Sequence, residues 1–163
     1  MSNIRIGMGY DIHKFAKNKK LYLGGVFIPF KFGLVGHSDA DALLHALCDA
    51  ILGALGKPDI GQYFSDKDPK YKNMSSMYFL KKVKAIMKKE RYKPVNIDCI
   101  IITDKPKIHD YSLMIKKNIA RSLSIKQGDI AIKAKTTEGI LSYSGKGIAV
   151  YCVVLLKRQG GRG

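Results

Sequence analysis

Apolar and polar positions alternate between residues 3 and 13. Ile4, Ile6, Met8 and Tyr10 fall on one face, and Arg5, Gly7, Gly9, Asp11 and His13 on the other. A period of two predicts a half-buried strand. LYLGG and VFIPF follow as short apolar runs around Gly24 and Gly25, the pattern of a hairpin. The period then changes. Between residues 38 and 55, Leu44, Leu47, Cys48, Ile51, Leu52 and Leu55 recur at helical spacing, and Gly56 and Pro58 end the run. A second helix is expected from Ser75 to Lys89, burying Met77, Leu80, Val83 and Met87 and exposing lysines. IDCIIIT (97–103) reads as a strand buried on both faces, DYSLMIKKNIARSL (110–123) as a third amphipathic helix, and IAIKA and GIAVYCVVLL as further strands. Helices separate strands repeatedly, which predicts a layered α/β or α+β domain with helices packed on a sheet. Residues 1–157 are expected to make one domain, with 158–163 as a frayed tail.

At 163 residues the chain is long enough for one sizeable core, and its 46% hydrophobic content is that of an ordered globular protein. The longest apolar run, IAVYCVVLL, is far short of the ~20 residues that cross a bilayer, and MSNIRIGMGYD has no signal-type apolar region. A cytoplasmic protein with no membrane partner is expected. Cys48, Cys99 and Cys152 are odd in number and lie far apart in apolar runs, so they are expected to be reduced core residues and not a disulfide framework. The net charge of +16 invites a polyanionic partner. Its lysines, such as Lys81, Lys82, Lys84, Lys88, Lys89, Lys116 and Lys117, are scattered without interleaved aromatics, which predicts a solvated surface and no nucleic-acid partner. The acids are less evenly spread: seven of thirteen fall between Asp11 and Asp68.

Asp11 and His13 leave the same strand face, and Gly7 and Gly9 before them are expected to leave room above it. A carboxylate and an imidazole projecting together suit zinc, although D-x-H alone better fits a surface aspartate beside a hydrogen-bonded histidine, so a third ligand must come from elsewhere. Measured from Leu44, His45 lies about 100° round the helix and Asp41 about 60°, both on the seam facing the strand. His45 is therefore the candidate third ligand, leaving a fourth tetrahedral position open. Ser38 and Asp41 form a capping-box pattern that explains Ser38, Asp39 and Asp41 without chemistry. It does not explain His45, nor His37, a cationic residue at a helix start where an anion is the natural partner. In KPDIGQYFSDKDP, Asp59, Asp66 and Asp68 have the look of turn formers. In KAKTTEG, Lys133, Lys135, Thr136, Thr137 and Glu138 offer donors for phosphate oxygens and a carboxylate for Mg²⁺.

Taken in order, GYDIH (9–13), GHSDADALLHALCDAILGALGKPDIGQYFSDKDP (36–69), DKPKI (104–108), KAKTTE (133–138) and GIA (147–149) resemble one family along nearly the whole chain. It is the 2-C-methyl-D-erythritol 2,4-cyclodiphosphate synthase family, phosphorus–oxygen lyases of the non-mevalonate isoprenoid pathway. The resemblance implies an α+β fold: a mixed sheet with helices on one face, the sheets facing the axis of a homotrimer with active sites at subunit interfaces. It implies Asp11, His13 and His45 as zinc ligands and Glu138 as the holder of Mg²⁺ or Mn²⁺ between the two phosphates. His37 and Thr136 would stabilise the transition state.

The implied substrate-binding set begins with Asp11, Ile12 and His13, with Asp59, Ile60 and Gly61 at the ribose. His37, Ser38, Phe64, Ser65, Asp66, Lys67 and Asp68 would meet the methylerythritol end. Thr103, Asp104, Lys105, Pro106, Lys107, Ile108 and His109 would form the cytidine pocket. Lys135, Thr136, Thr137, Glu138, Tyr143 and Lys146 complete the set. The implied substrate is 4-diphosphocytidyl-2-C-methyl-D-erythritol 2-phosphate, whose 2-phosphate attacks the β-phosphorus and expels CMP without a protein nucleophile. Metals and hydrogen-bond donors then act by positioning and charge neutralisation. Two departures stand out. Lys135 replaces a threonine common in the family, and GILSYSGKGIA lacks the usual Gly-Arg-Gly-Glu-Gly run, with Lys146 near the arginine that lines an axial cavity proposed to hold an isoprenoid diphosphate. A charge-driven nucleic-acid module would not need Asp11, His13 or His45, and a water-activating zinc hydrolase would need a dedicated base that is not evident. The chain is too short to include the cytidylyltransferase fused to some members, so one activity is expected.

Overall fold

The computed structural model describes residues 3–142 and 144–160; Tyr143 lies outside the described residues. Strand β1 (Ile4–Lys17) is long because its alternation continues past His13. It pairs antiparallel with β7 (Gly147–Arg158), from Ile4 opposite Lys157 to Lys14 opposite Gly147. On the other side of β7 lies antiparallel β5 (Tyr92–Ile102), followed by β6 (Ile130–Lys135), which runs parallel to β5. A parallel pair needs a crossover, and α4 (Ser112–Leu123) supplies it. Short β4 (Phe32–Leu34) covers the far end of β1, giving the sheet order β4-β1-β7-β5-β6. The expected hairpin forms as β2 (Leu21–Leu23) and β3 (Val26–Ile28), with Gly24 and Gly25 at positive φ in its turn.

Helix α1 (Ala42–Ala54) lies across β1 and β7, and ten of its thirteen residues are buried. The one-turn α2 (Ile60–Tyr63) and the longer α3 (Ser76–Lys89) follow, with α3 packing on α1 and burying Phe79, Leu80, Val83 and Met87. Met77 is only half-buried. The domain is thus α+β, a mixed sheet with helices on one face.

The strand faces correct three expectations. On β1 the glycine face turns inward: a Cβ at Gly7 would sit 2.0 Å from the Ala50 carbonyl oxygen, and one at Gly9 1.9 Å from that of Ala46. These glycines do not clear a cleft; they let the α1 backbone rest on the strand. The apolar face is left bare, with Ile6 70% and Met8 67% exposed, beside exposed Tyr10, Tyr151 and Val153. The strand expected to be buried on both faces alternates instead, with Ile97, Cys99 and Ile101 buried and Ile100 and Ile102 half-buried.

Two further corrections concern Cys99 and Cys152 and the end of the chain. Cys99 stands directly opposite Cys152 in the β5–β7 register, and the two form a disulfide; only Cys48 is a free buried thiol among the described residues. Distance in sequence hid a cross-strand pair. The tail is tied further than expected: β7 runs through Arg158, and the Gln159 N–H donates to the Arg91 carbonyl. Among the described residues no helix is long and apolar enough to cross a membrane.

Candidate metal centre and substrate cavity

Because Gly9 lets α1 lie against β1, His45, in the second turn above the Asp41 cap, reaches the strand positions of Asp11 and His13. Asp11 Oδ2 lies 2.9 Å from His13 Nδ1 and 3.2 Å from His45 Nδ1. One ligand-type atom from each residue falls within 4.8 Å of the others, and no other such group of three occurs among the described residues. Asp11 Oδ2 and His13 Nδ1 are buried without a properly directed hydrogen bond. Buried polar atoms are ordinarily satisfied, so two that converge without partners are best explained by an ion between them. Burial pushes the Asp11 carboxyl up, but His13 and His45 outweigh it and hold the group below the usual carboxylate range. Burial works against a charged His45, yet Asp11 raises its pKa.

The remaining nitrogen of His45 is also held. Its Nε2 lies 2.9 Å from Ser76 Oγ and 3.2 Å from Ser38 Oγ. The Ser76 hydroxyl donates to Asp39 Oδ1, and the Ser76 N–H donates to Asp39 Oδ2 at 2.9 Å. The imidazole is backed by Phe79, which stacks on Phe64 with ring centroids 4.8 Å apart.

The triad opens into a cavity of about 470 Å³. Its walls carry six more of the expected residues, His37, Ser38, Ile60, Gly61, Phe64 and Asp66; Asp68 does not line it, but its carbonyl accepts from His37 Nε2 at 3.3 Å. Gly36, Tyr71 and Phe79 also line it. Gly36 entered only as the start of a motif, and Tyr71 and Phe79 were not singled out, because the chemical signal in the sequence lay in the carboxylates, imidazoles, lysines and hydroxyls near them.

The cap works differently from the expected box. Asp41, not Ser38, caps α1, accepting from Leu44 N, and its carboxylate also accepts from Gly24 N at 2.9 Å and Gly25 N at 2.6 Å. Asp41 therefore pins the hairpin to the helix and does not face β1. Fully buried, its carboxyl is pushed up to about 6 by desolvation, against the pull of those N–H groups. Since this carboxylate already fills the helix start, the dipole there offers no free anion site. His37 faces the cavity because the loop carries it there.

Other expected residues are placed as follows. Ile12 points to the bare sheet face, opposite Asp11 and His13. Asp59 caps α2 and accepts from Gln62 N, Ser65 Oγ accepts from Lys67 N, and Asp68 pairs with Lys70.

A second cavity, of about 170 Å³, is lined by Thr103, Asp104, Pro106, Lys107, Ile108, His109, Lys135 and Thr136, with Ala134. The Lys105–Pro106 peptide is cis, and the Lys105 carbonyl accepts from the Thr103 hydroxyl at 2.7 Å. The Asp104 carboxylate is occupied within the chain: it accepts from Thr137 N at 2.8 Å, Thr137 Oγ1 at 2.7 Å and Gly145 N at 2.8 Å. These donors hold its pKa below the ordinary value. Thr137 is thereby buried, while Thr136 donates to Glu138 Oε1 on the exposed turn. Lys146 Nζ donates to the Ser142 carbonyl at 3.0 Å. Within one chain the two cavities share no lining residue.

Comparison with known proteins agrees with this geometry. Residues 4–157 match the YgbB family. A 2-C-methyl-D-erythritol 2,4-cyclodiphosphate synthase of Caldicellulosiruptor bescii is 49% identical over 154 residues, covering 93% of this chain and 98% of that protein. Among solved structures, a Plasmodium falciparum IspF in complex with CDP superposes with a TM-score of 0.85 at 38% identity, over 98% of this chain and all of the other. The bifunctional IspDF of Campylobacter jejuni superposes with a TM-score of 0.91 at 40% identity, over 96% of this chain but 42% of that one.

Proposed function

Because the chain belongs to the YgbB family, we propose that it is a 2-C-methyl-D-erythritol 2,4-cyclodiphosphate synthase. Its substrate is 4-diphosphocytidyl-2-C-methyl-D-erythritol 2-phosphate. A bond forms between a 2-phosphate oxygen and the β-phosphorus, the β-phosphorus to bridging-oxygen bond breaks, and CMP leaves with the bridging oxygen.

The observation that carries this reading is the convergence of Asp11 Oδ2, His13 Nδ1 and His45 Nδ1, two of them buried without hydrogen-bond partners, in the wall of a cavity of about 470 Å³. Two nitrogens and one oxygen are a zinc donor set with a fourth position left for substrate. Zinc bound there would supply charge neutralisation to phosphoryl oxygens. His37 presents its ring to the same space, and Ser38 offers a hydroxyl beside it. Both suit the phosphate at the methylerythritol end, with Asp66 for its hydroxyl groups. The cavity of Thr103–His109 is sized for the cytosine ring, and Asp59 and Gly61 serve the ribose. Lys135 and Thr136 present an ammonium and a hydroxyl to the diphosphate, and Glu138 is the carboxylate for Mg²⁺ or Mn²⁺, a cation that is commonly held by one carboxylate plus substrate phosphates. The chain thus folds a flexible polyanion onto itself and offsets the repulsion of its ends.

The protein is a homotrimer in this reading. Ile6, Met8, Tyr10, Tyr151 and Val153 form a contiguous exposed apolar stripe on two paired strands, the kind of surface that marks an interaction site. Three such faces around an axis would bury it, and would bring the metal cavity of one copy beside the cytidine cavity of the next. The cytoplasm is the proposed location.

The test is ³¹P NMR of the purified protein with zinc, Mg²⁺ and the substrate. Cyclic diphosphate and CMP should appear in equal amounts; CMP released with an open-chain 2,4-bisphosphate, whose two phosphates are separate monoesters, would mark a hydrolase and overturn the reading.

A further inference from the structure

We infer that Ser76 and Asp39 form a positioning relay that fixes the tautomer and orientation of His45, so that its Nδ1 lone pair is presented to the metal. The inference rests on the reading of Asp11, His13 and His45 as a metal centre.

The directions of the hydrogen bonds follow from what each group can donate. Asp39 carries no proton when ionised, so the Ser76 hydroxyl, in contact with Asp39 Oδ1, must be the donor of that pair. Having spent its one proton, Ser76 Oγ can only accept from His45 Nε2, 2.9 Å away. Nε2 therefore holds the N–H of the neutral ring, and Nδ1, which faces Asp11, is left with its lone pair. Ser76 is fully buried, and its backbone N–H is held by the second oxygen of Asp39 at 2.9 Å. Asp39 is itself anchored, because its N–H donates to the Met74 carbonyl at 3.0 Å. The relay thus joins the loop before α1 to the start of α3 through the metal-facing histidine. His13 has no such partner described, so the relay is specific to the helix-borne ligand. Ser38 Oγ, at 3.2 Å from Nε2 and accepting from Ala40 N, is the longer contact. With Nε2–H directed at Ser76, the Ser38 hydroxyl proton is free for a ligand in the cavity.

Such carboxylate-backed outer contacts typically change metal affinity 10–100-fold when removed. The experiment compares wild type, Ser76→Ala and Ser75→Ala by zinc competition against a chromogenic chelator, with ¹⁵N–¹H NMR of the histidine rings in the zinc-loaded proteins. Ser75 caps α3 through Met77 N at 3.3 Å without touching His45, so it reports damage to the helix start alone. Wild type should show a slowly exchanging His45 Nε2–H and a metal-shifted Nδ1. Ser76→Ala should lose the slow exchange and bind zinc about 10–100-fold more weakly, while Ser75→Ala binds within about twofold of wild type. Equal losses in the two variants, wild-type affinity in Ser76→Ala, or a metal-bound Nε2 would overturn the relay. Zinc affinity unchanged by His45→Ala would instead sink the metal centre on which it rests.

Discussion

Replacing Gly9 by alanine should separate the two elements that build the candidate metal centre. The added Cβ would start 1.9 Å from the Ala46 carbonyl oxygen and 2.7 Å from the Ala50 nitrogen. Carbon–oxygen contacts settle near 3.3 Å, so α1 and β1 must part by about 1.4 Å at a point two residues from Asp11 and one from His45. Both contacts are backbone and the helix is buried on most sides, so no side chain can swing away. Overpacking of this kind costs about 3 kcal/mol, which for a chain of this size lowers Tm by roughly 6–12 °C. Metal–ligand distances tolerate only about 0.2 Å. A gap that now places Asp11 Oδ2 3.2 Å from His45 Nδ1 cannot widen so far and keep three ligands on one ion. Thermal denaturation of the metal-free protein and zinc competition on the same sample measure the two effects separately. A Gly9→Ala protein that melts with wild type and binds zinc equally well would refute this description of the α1–β1 contact.

Other substitutions probe the remaining parts. Burial raises the Asp41 carboxyl to about 6 from its ordinary 3.8, so the folded state holds that proton more tightly and stability falls as pH rises between those values, by about 3 kcal/mol in all. Asp41→Asn removes that dependence but turns an amide donor toward Gly25 N–H. Urea denaturation should therefore find the variant weaker at pH 4, with the gap shrinking by pH 7; a gap that widens with pH contradicts the assignment. Asp104→Ala frees Thr137 and Gly145 from their shared acceptor. It should lower kcat by about tenfold or more through misplacement of Thr136 and Glu138, with zinc affinity unchanged; equal loss of both would show that the loop and the metal centre are one unit. Met8→Lys places a charge on the bare sheet face and should shift the sedimentation mass from trimer to monomer; a wild-type mass, or a wild type that is itself monomeric, would remove the trimer.

Periodicity alone located nearly every element, because α1, α3, α4 and β7 each carry an uninterrupted apolar pattern. It predicted a half-buried β1 but did not say that the glycine face would be closed by the α1 backbone. A strand records that its two faces differ, not which of them a helix will cover, and here glycine's lack of a side chain mattered more than the hydrophobicity of Ile6 and Met8. The clustering of Asp11, His13 and His45 was legible because Asp11 and His13 share a strand face and His45 falls on the seam of α1, both simple consequences of spacing. Its support was not. Ser76 lies 31 residues beyond His45, and only the packing of α3 on α1 brings the two within 2.9 Å. The same holds for Cys99 and Cys152, which are neighbours only through the β5–β7 register. Asp41 took the cap expected of Ser38, and its further bonds to the Gly24 and Gly25 N–H groups of the hairpin turn are ones that a capping pattern cannot anticipate.

The central claim is that Asp11, His13 and His45 hold the ion on which cyclisation depends. CMP release from 4-diphosphocytidyl-2-C-methyl-D-erythritol 2-phosphate, measured for wild type and His45→Ala at matched zinc and Mg²⁺, tests it most directly. Wild type should release CMP and form the cyclic product, while His45→Ala remains folded, holds little zinc and releases almost none. Undiminished CMP from His45→Ala, or none from zinc-loaded wild type, would contradict it.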